Sequence, residues 1–262
     1  MLDDAEFLDH VASALAELPG VLGVALGGSR AQGVSHPGSD WDFSLYYRST
    51  FDASAVRGLG WAGEATDVGG WGPIFNGGGA FTVEGRPMDI HYRDLDLIDR
   101  IHDDAERGEF RIEPLLFHQA GIPTYILLAE LGVNRVLTGD LPRWEYPDAL
   151  RESAPPVWWE GARLTLHYAR KGHAAHGRVA QCAGLLSEAA CRTGHAILAC
   201  NGEWITNEKQ LLTLAGLREV DGVIARLSSE PKALIAAVDE VGAILRRAAA
   251  EAGVVDAVQR DR

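Results

Sequence analysis

Cysteine, positive charge and long apolar runs are all scarce in this chain of 262 residues, and each scarcity excludes something. The only three cysteines, Cys182, Cys191 and Cys200, are spaced nine apart, so on a helix successive members point to opposite sides. They cannot converge on one metal ion. An odd count in a reducing compartment fits small, buried, free thiols. The most apolar segment, residues 179–200, is broken by Gln181, Glu188, Arg192 and His195. That is too polar for a membrane span and normal for a buried helix. The opening stretch MLDDAEFLDH is acidic where a secretory signal would be basic, so a cytoplasmic protein with no membrane anchor is expected.

The shortage of cations is uneven. Net charge is −13, and residues 1–145 hold 10 Lys+Arg against 23 Asp+Glu, while residues 146–262 hold 14 against 14. An acidic half repels phosphate backbones, so a long nucleic acid is a poor partner unless the neutral half makes the contacts. Metal ions and small cationic substrates fit better. Most of those carboxylates need no explanation beyond solubility. With 47% hydrophobic and 23% charged residues, the composition is that of a folded globular protein, long enough for two domains.

Apolar residues at Phe7, Leu8, Val11, Ala14, Leu15 and Leu18 predict a helix ended by Pro19-Gly20. Residues 21–26 predict a buried strand running into Gly27-Gly28, and Asp40–Tyr47 alternates with period two as a second strand. Residues 52–60 read as a short helix, and the glycine-rich stretch 69–79 as loop. Residues 80–92 read as a hairpin turning at Glu84-Gly85-Arg86-Pro87, and 94–107 as a helix with an acidic start. Beyond Pro147 the strand signals stop. Helices are expected near 157–175, 178–200, 206–215, 217–228 and 231–252. The expected architecture is an α/β (α+β) domain with a mixed sheet over residues 1–145, then an all-α helical bundle over 146–262, without repeats.

The chemistry concentrates between residues 27 and 47. Asp40 and Asp42, two apart on a strand, project from one face, within reach of a shared cation. Trp41 and Phe43 point the other way, into a core. Carboxylate oxygens of this kind select Mg2+ or Mn2+. Gly27-Gly28-Ser29 at the first strand's end can present backbone N–H groups and a hydroxyl to an anionic phosphate, or can be a plain turn. Arg30 follows as a further candidate for binding that phosphate. Asp89, flanked by Met88 and Ile90 on another predicted strand, would complete a carboxylate triad. Three carboxylates make a two-ion site possible.

This pattern of a GGS turn, a ten-residue spacer, Asp-Trp-Asp-Phe and a later apolar-flanked Asp resembles the nucleotidyltransferase superfamily of polymerase-beta type. The resemblance covers roughly residues 21–93. It implies that Gly28 and Ser29 hold a triphosphate, that Asp40, Asp42 and Asp89 bind two Mg2+ ions, and that Asp89 accepts the acceptor hydroxyl's proton. ATP is the default donor among the NTPs. The second half is similar, less specifically, to the helical domain of aminoglycoside-type enzymes. That implies a small polar acceptor such as an aminoglycoside-like antibiotic, and a lysine near the nucleotide at Lys209. Two other readings stay open: nucleotidylation of tRNA or a protein, and a binding module that keeps the fold without turnover.

Several further residues carry two readings each. Lys209 neutralises triphosphate or is a surface lysine. Glu188 is a general base or acceptor contact within an apolar helix, or the partner of Arg192 four residues on. The basic stretch Arg163, His167, Arg170, Lys171, His173, His176 and Arg178 grips NTP phosphates, or faces solvent, or pairs with the acidic domain. Trp158, Trp159 and Trp204 line an acceptor pocket or pack in a core.

Overall fold

The computed structural model describes residues 2–36 and 38–254. The chain opens with α1 (Asp4–Ala16), whose start is set by Asp3: its carboxylate accepts from the N–H groups of Ala5 and Glu6, both at 2.9 Å, while Glu6 reaches back to the Asp3 N–H. Phe7, Val11 and Leu15, at four-residue spacing, form its buried stripe. Then follow β1 (Val21–Leu26), a single helical turn α2 (Gly28–Ala31), β2 (Trp41–Tyr47), the short α3 (Ser54–Arg57), β3 (Ala62–Ala65), β4 (Gly78–Val83), β5 (Arg86–Asp94) and α4 (Leu95–Glu106). A ribbon of β6 (Ile112–Glu113) and β7 (Ile122–Pro123) precedes α5 (Ile126–Val133) and β8 (Arg135–Gly139).

Six strands form one mixed sheet in the order β3-β4-β5-β2-β1-β8, with β2 and β5 parallel and the other neighbours antiparallel. Asp40 lies one residue before β2. The β4–β5 turn is tighter than expected: Glu84 and Gly85, both at positive φ (51° and 76°), complete it, and Arg86 and Pro87 already belong to β5. Two left-handed residues match the twist of a hairpin better than a longer turn. Alternation sorts the central strands. Trp41, Phe43, Leu45 and Tyr47 of β2, with Met88, Ile90 and Tyr92 of β5, join the α1 stripe in one hydrophobic cluster. The opposite face carries Asp42, Ser44 and Tyr46 beside Asp89, His91 and Arg93.

The remainder comprises α6 (Asp148–Tyr168), α7 (Val179–Asn201), α8 (Leu211–Leu214), α9 (Glu219–Ile224) and α10 (Pro231–Glu251). α6 starts nine residues before its expected position despite Pro155 and Pro156 within it. Its last turn widens into a π-helical segment (Ala169–His173) and a 3-10 turn ending at Gly177 in the left-handed conformation (φ 66°). α7 likewise ends on left-handed Gly202 (φ 71°), as expected of a helix stop. All three cysteines are free.

The chain divides into two compact units: residues up to Asp103 with Leu127–Glu145, and Asp104–Ile126 with the chain from Tyr146. Residues 104–126, which the sequence groups with the first half, thus pack with the later helices. Among its described residues that second unit is helical except for the β6–β7 ribbon, which lies in the stretch the sequence groups with the first half. Within it, Trp158 donates its indole N–H to the Tyr125 hydroxyl at 3.1 Å. Trp158 also stacks on the buried His195 ring (4.4 Å, 15°).

Candidate active site

β1 delivers the chain into a bend at Gly27 and Gly28. The Gly27 N–H donates to the Asp42 carbonyl at 2.7 Å, tying the bend to the start of β2. Gly28 has φ +61°, and a Cβ placed on it would stand 1.8 Å from Asp42 Oδ2 and 2.8 Å from its Cγ. Glycine is therefore required twice, for the left-handed backbone and because the Asp42 carboxylate fills the space a side chain would need. Ser29 follows, half-buried, in α2.

Asp42 pairs in register with Asp89 across the parallel β2–β5 ladder. Neighbouring strands lie about 4.8 Å apart, and in-register partners of a parallel pair share a face, so these two half-buried residues occupy adjacent positions on one face of the sheet. Carboxylates on adjacent positions of one face attract a cation.

Beyond them the same face becomes dry. Ser44 and His91 pair next, and burial, with the Arg93 charge as the lesser cause, holds the His91 pKa down to about 3 and the ring neutral. Arg93, 2% exposed, grips Glu130 of α5 through its Nη2 at 2.7 Å and also through its Nε, while Nη1 donates to the Phe75 and Tyr92 carbonyls, each at 3.0 Å. The Tyr46 hydroxyl accepts from Asn134 Nδ2 at 3.1 Å, and burial pushes its pKa well above the usual phenol value. This buried polar floor fixes the two strands beneath the carboxylates. Sequence reasoning missed it: Glu130 and Asn134 bracket an apolar run with no alternation to betray a facing partner.

Asp40 is placed differently. It is exposed at the entry to β2, and among the described residues no three of His, Cys, Asp and Glu stand together as a group that could hold a metal ion. The structure thus brings Asp42 and Asp89 together and does not complete a three-carboxylate group with Asp40. Two adjacent carboxylates fit one Mg2+, a cation that takes water and substrate phosphate oxygens for its remaining positions.

Arg30 sits on the core side of the bend. Its Nε donates to the Ser39 and Asp40 carbonyls, both at 3.2 Å, its Nη2 to Ser39 at 2.8 Å, and its guanidinium lies 3.9 Å over the Trp41 ring. Those contacts hold the loop leading into β2.

The remaining candidates belong to the second unit. Glu188 accepts from Arg192 Nε at 2.9 Å, the i,i+4 pairing. Lys209 is exposed, with its N–H on Asn207 Oδ1 at 2.9 Å in a local turn. Arg163 pairs with Glu160 and Arg170 with Asp239, each at 2.7 Å, which commits two cations of the basic stretch. Trp158 and Trp159 are buried, and Trp204 packs 4.4 Å from the Tyr146 ring. Glu208, one residue from Lys209, accepts the N–H groups of Gln119 and Ala120 at 2.7 and 2.8 Å. A carboxylate bonded to two distant backbone N–H groups leaves no mark in sequence spacing.

No family model and no curated protein matches this chain. Among solved structures, a nucleotidyltransferase-like protein from Exiguobacterium sibiricum 255-15 is similar over 97% of this chain and 78% of its own, at 11% identity and a TM-score of 0.43. A likeness that distant assigns neither activity nor site. No helix among the described residues is long and apolar enough to cross a membrane.

Proposed function

We propose that the chain is a metal-dependent nucleotidyltransferase. Its reaction would move a nucleoside monophosphate, AMP by default, from an NTP to a hydroxyl of a small polar acceptor and release pyrophosphate. The observation that carries this reading is the convergence of three segments: the left-handed Gly28 bend lies against the Asp42 carboxylate, and Asp42 lies in register beside Asp89.

In this reading the Gly27–Ser29 bend offers backbone N–H groups and the Ser29 hydroxyl to the triphosphate. Asp42 and Asp89 would hold Mg2+, which neutralises phosphate charge and steadies the leaving pyrophosphate. Asp89 also accepts the proton of the incoming hydroxyl. Asp40, exposed at the mouth of β2, is the candidate for a second cation once substrate phosphates supply further oxygens. Arg30 fixes the backbone that presents Asp40. Lys209 and Glu188 remain candidates for phosphate neutralisation and acceptor contact, and division at residue 145 into a catalytic and a helical domain remains the proposed functional split.

One observation favours a second reading, a nucleotide-binding module without turnover: the exposure of Asp40 outside any three-carboxylate group. Incubation with Mg2+, each α-labelled NTP, and separate panels of aminoglycoside-like antibiotics, tRNA and proteins distinguishes these. Label on a small molecule with stoichiometric pyrophosphate supports the proposal. Label on a macromolecule redirects the acceptor, and bound nucleotide without pyrophosphate supports the module.

A further inference from the structure

On the first unit, but on the α1 side of the sheet, a cavity of about 550 Å3 opens beside the N-terminus of α1; Asp4, Arg30, Ser39, Trp41 and Arg86 are among its lining residues. Its chemistry is opposite to that of the Asp42–Asp89 face. Two guanidiniums, 17% and 20% exposed, converge on a single carboxylate: Arg86 Nη1 donates to Asp4 Oδ1 at 2.8 Å, and Arg30 Nη1 stands 3.8 Å from Asp4 Oδ2, beyond hydrogen-bond length. Both cations are held from behind. Arg30 lies over Trp41, Arg86 lies 4.8 Å from the Phe7 ring centre, and Arg86 Nη2 donates to the Leu2 carbonyl at 2.6 Å.

We infer that this cavity is a binding site for a small phosphate monoester, whose phosphate replaces the Asp4 carboxylate between Arg30 and Arg86. Three features carry it. The arginines are preorganised by stacking and by carbonyl contacts, so their outward N–H groups are presented at little further entropic cost. The Asp4 side chain that now bridges them is 71% exposed, and an ion pair so exposed is weak and easily displaced. A phosphate offers three acceptor oxygens to two forks where one carboxylate leaves the Arg30 contact long, and the volume exceeds that of a bare oxyanion and accommodates a sugar-sized body. The inference is independent of the transfer reaction, because Trp41 and Asp42 project from opposite faces of β2. A link to that reaction exists nonetheless, since Arg30 also holds the Ser39 and Asp40 carbonyls.

Calorimetric titration of the full chain with ribose 5-phosphate, inorganic phosphate and acetate tests this. Ribose 5-phosphate is expected to bind more tightly than inorganic phosphate, and acetate least. Asp4→Asn should tighten ribose 5-phosphate binding and Arg86→Gln should weaken it, each by about tenfold or more, the scale of one hydrogen bond to a charged group. Arg86→Lys should recover part of the loss, and Asp42→Asn should leave binding unchanged. The assignment is overturned by absence of binding in both the unaltered chain and Asp4→Asn, by inorganic phosphate binding as tightly as the ester, by full affinity in a folded Arg86→Gln, or by loss of binding in Asp42→Asn.

Discussion

Replacing Gly28 by alanine separates backbone strain from damage to the site, because a matched control exists in the same loop. Gly28 and Gly33 are both left-handed, at φ +61° and +71°, but a Cβ at Gly33 meets nothing within 4 Å while one at Gly28 would overlap Asp42 Oδ2 at 1.8 Å. A non-glycine residue in this conformation costs roughly 1–2 kcal/mol, so both variants should lose about that much in urea unfolding. The overlap adds little to that cost, since a carboxylate can swing away. It does so by roughly 1.7 Å, taking ordinary contact near 3.5 Å, and a misplacement of about 1 Å in a reacting constellation lowers rate by about 100-fold. Gly28→Ala should therefore lose at least that factor in pyrophosphate release while Gly33→Ala stays near the unaltered rate. Equal activity in the two variants, at equal stability, would refute the role given to the Gly28–Asp42 contact.

Further outcomes follow from the buried groups. Removing the Arg93 charge with Arg93→Met strands Glu130 inside the protein and should cost about 3–5 kcal/mol in urea unfolding, whereas the exposed Arg247→Met, whose partner is Glu219, should cost under about 1 kcal/mol. His195 is held neutral, its pKa lowered from 6.5 to about 3 first by burial and then by the charges of His118 and Arg192. The unfolded chain takes up that proton below pH 6.5 and the folded chain does not, so this contribution is complete above 6.5 and declines as pH falls towards 3. At pH 5 the loss is about 2 kcal/mol, and His195→Phe should flatten that part of the pH–stability curve. Glu208→Gln, which keeps one acceptor oxygen for two N–H groups, should raise amide exchange at Gln119 or Ala120 and cost about 1–2 kcal/mol.

The parts legible in the sequence are those where one face is apolar and the other is not. The alternation Trp41-Asp42-Phe43-Ser44 announces both the strand and its orientation, and the stripe of α1 and the charged face of α4 are equally plain. β3 was missed because Ala62-Gly63-Glu64-Ala65 is an exposed edge strand with nothing to bury. α5 and β8 were missed for two reasons. Residues 126–129 are buried on every side, so no period marks the helix, and the β8 residues are only partly covered, so no alternation marks the strand. Pro155 and Pro156 disguised the first turns of α6, where tertiary packing of Leu150 and Ala154 outweighs the lost backbone hydrogen bonds. In the site, the apolar flanks of Asp42 and Asp89 mark the strand face each one occupies, but not that β2 and β5 pair in parallel with the two residues in register. The exposure of Asp40 ahead of β2 was not legible, because it depends on where the strand begins, and the commitment of Arg30 to the Ser39 and Asp40 carbonyls is a tertiary contact that no periodicity encodes.

Titration with Mn2+ in the presence of a non-hydrolysable NTP, followed by electron paramagnetic resonance, tests the central claim that Asp42 and Asp89 share a divalent cation at the Gly28 bend. The unaltered chain should bind Mn2+ with the nucleotide, and Asp42→Asn and Asp89→Asn should each abolish that binding while remaining folded. Undiminished Mn2+ binding in either folded variant would contradict it.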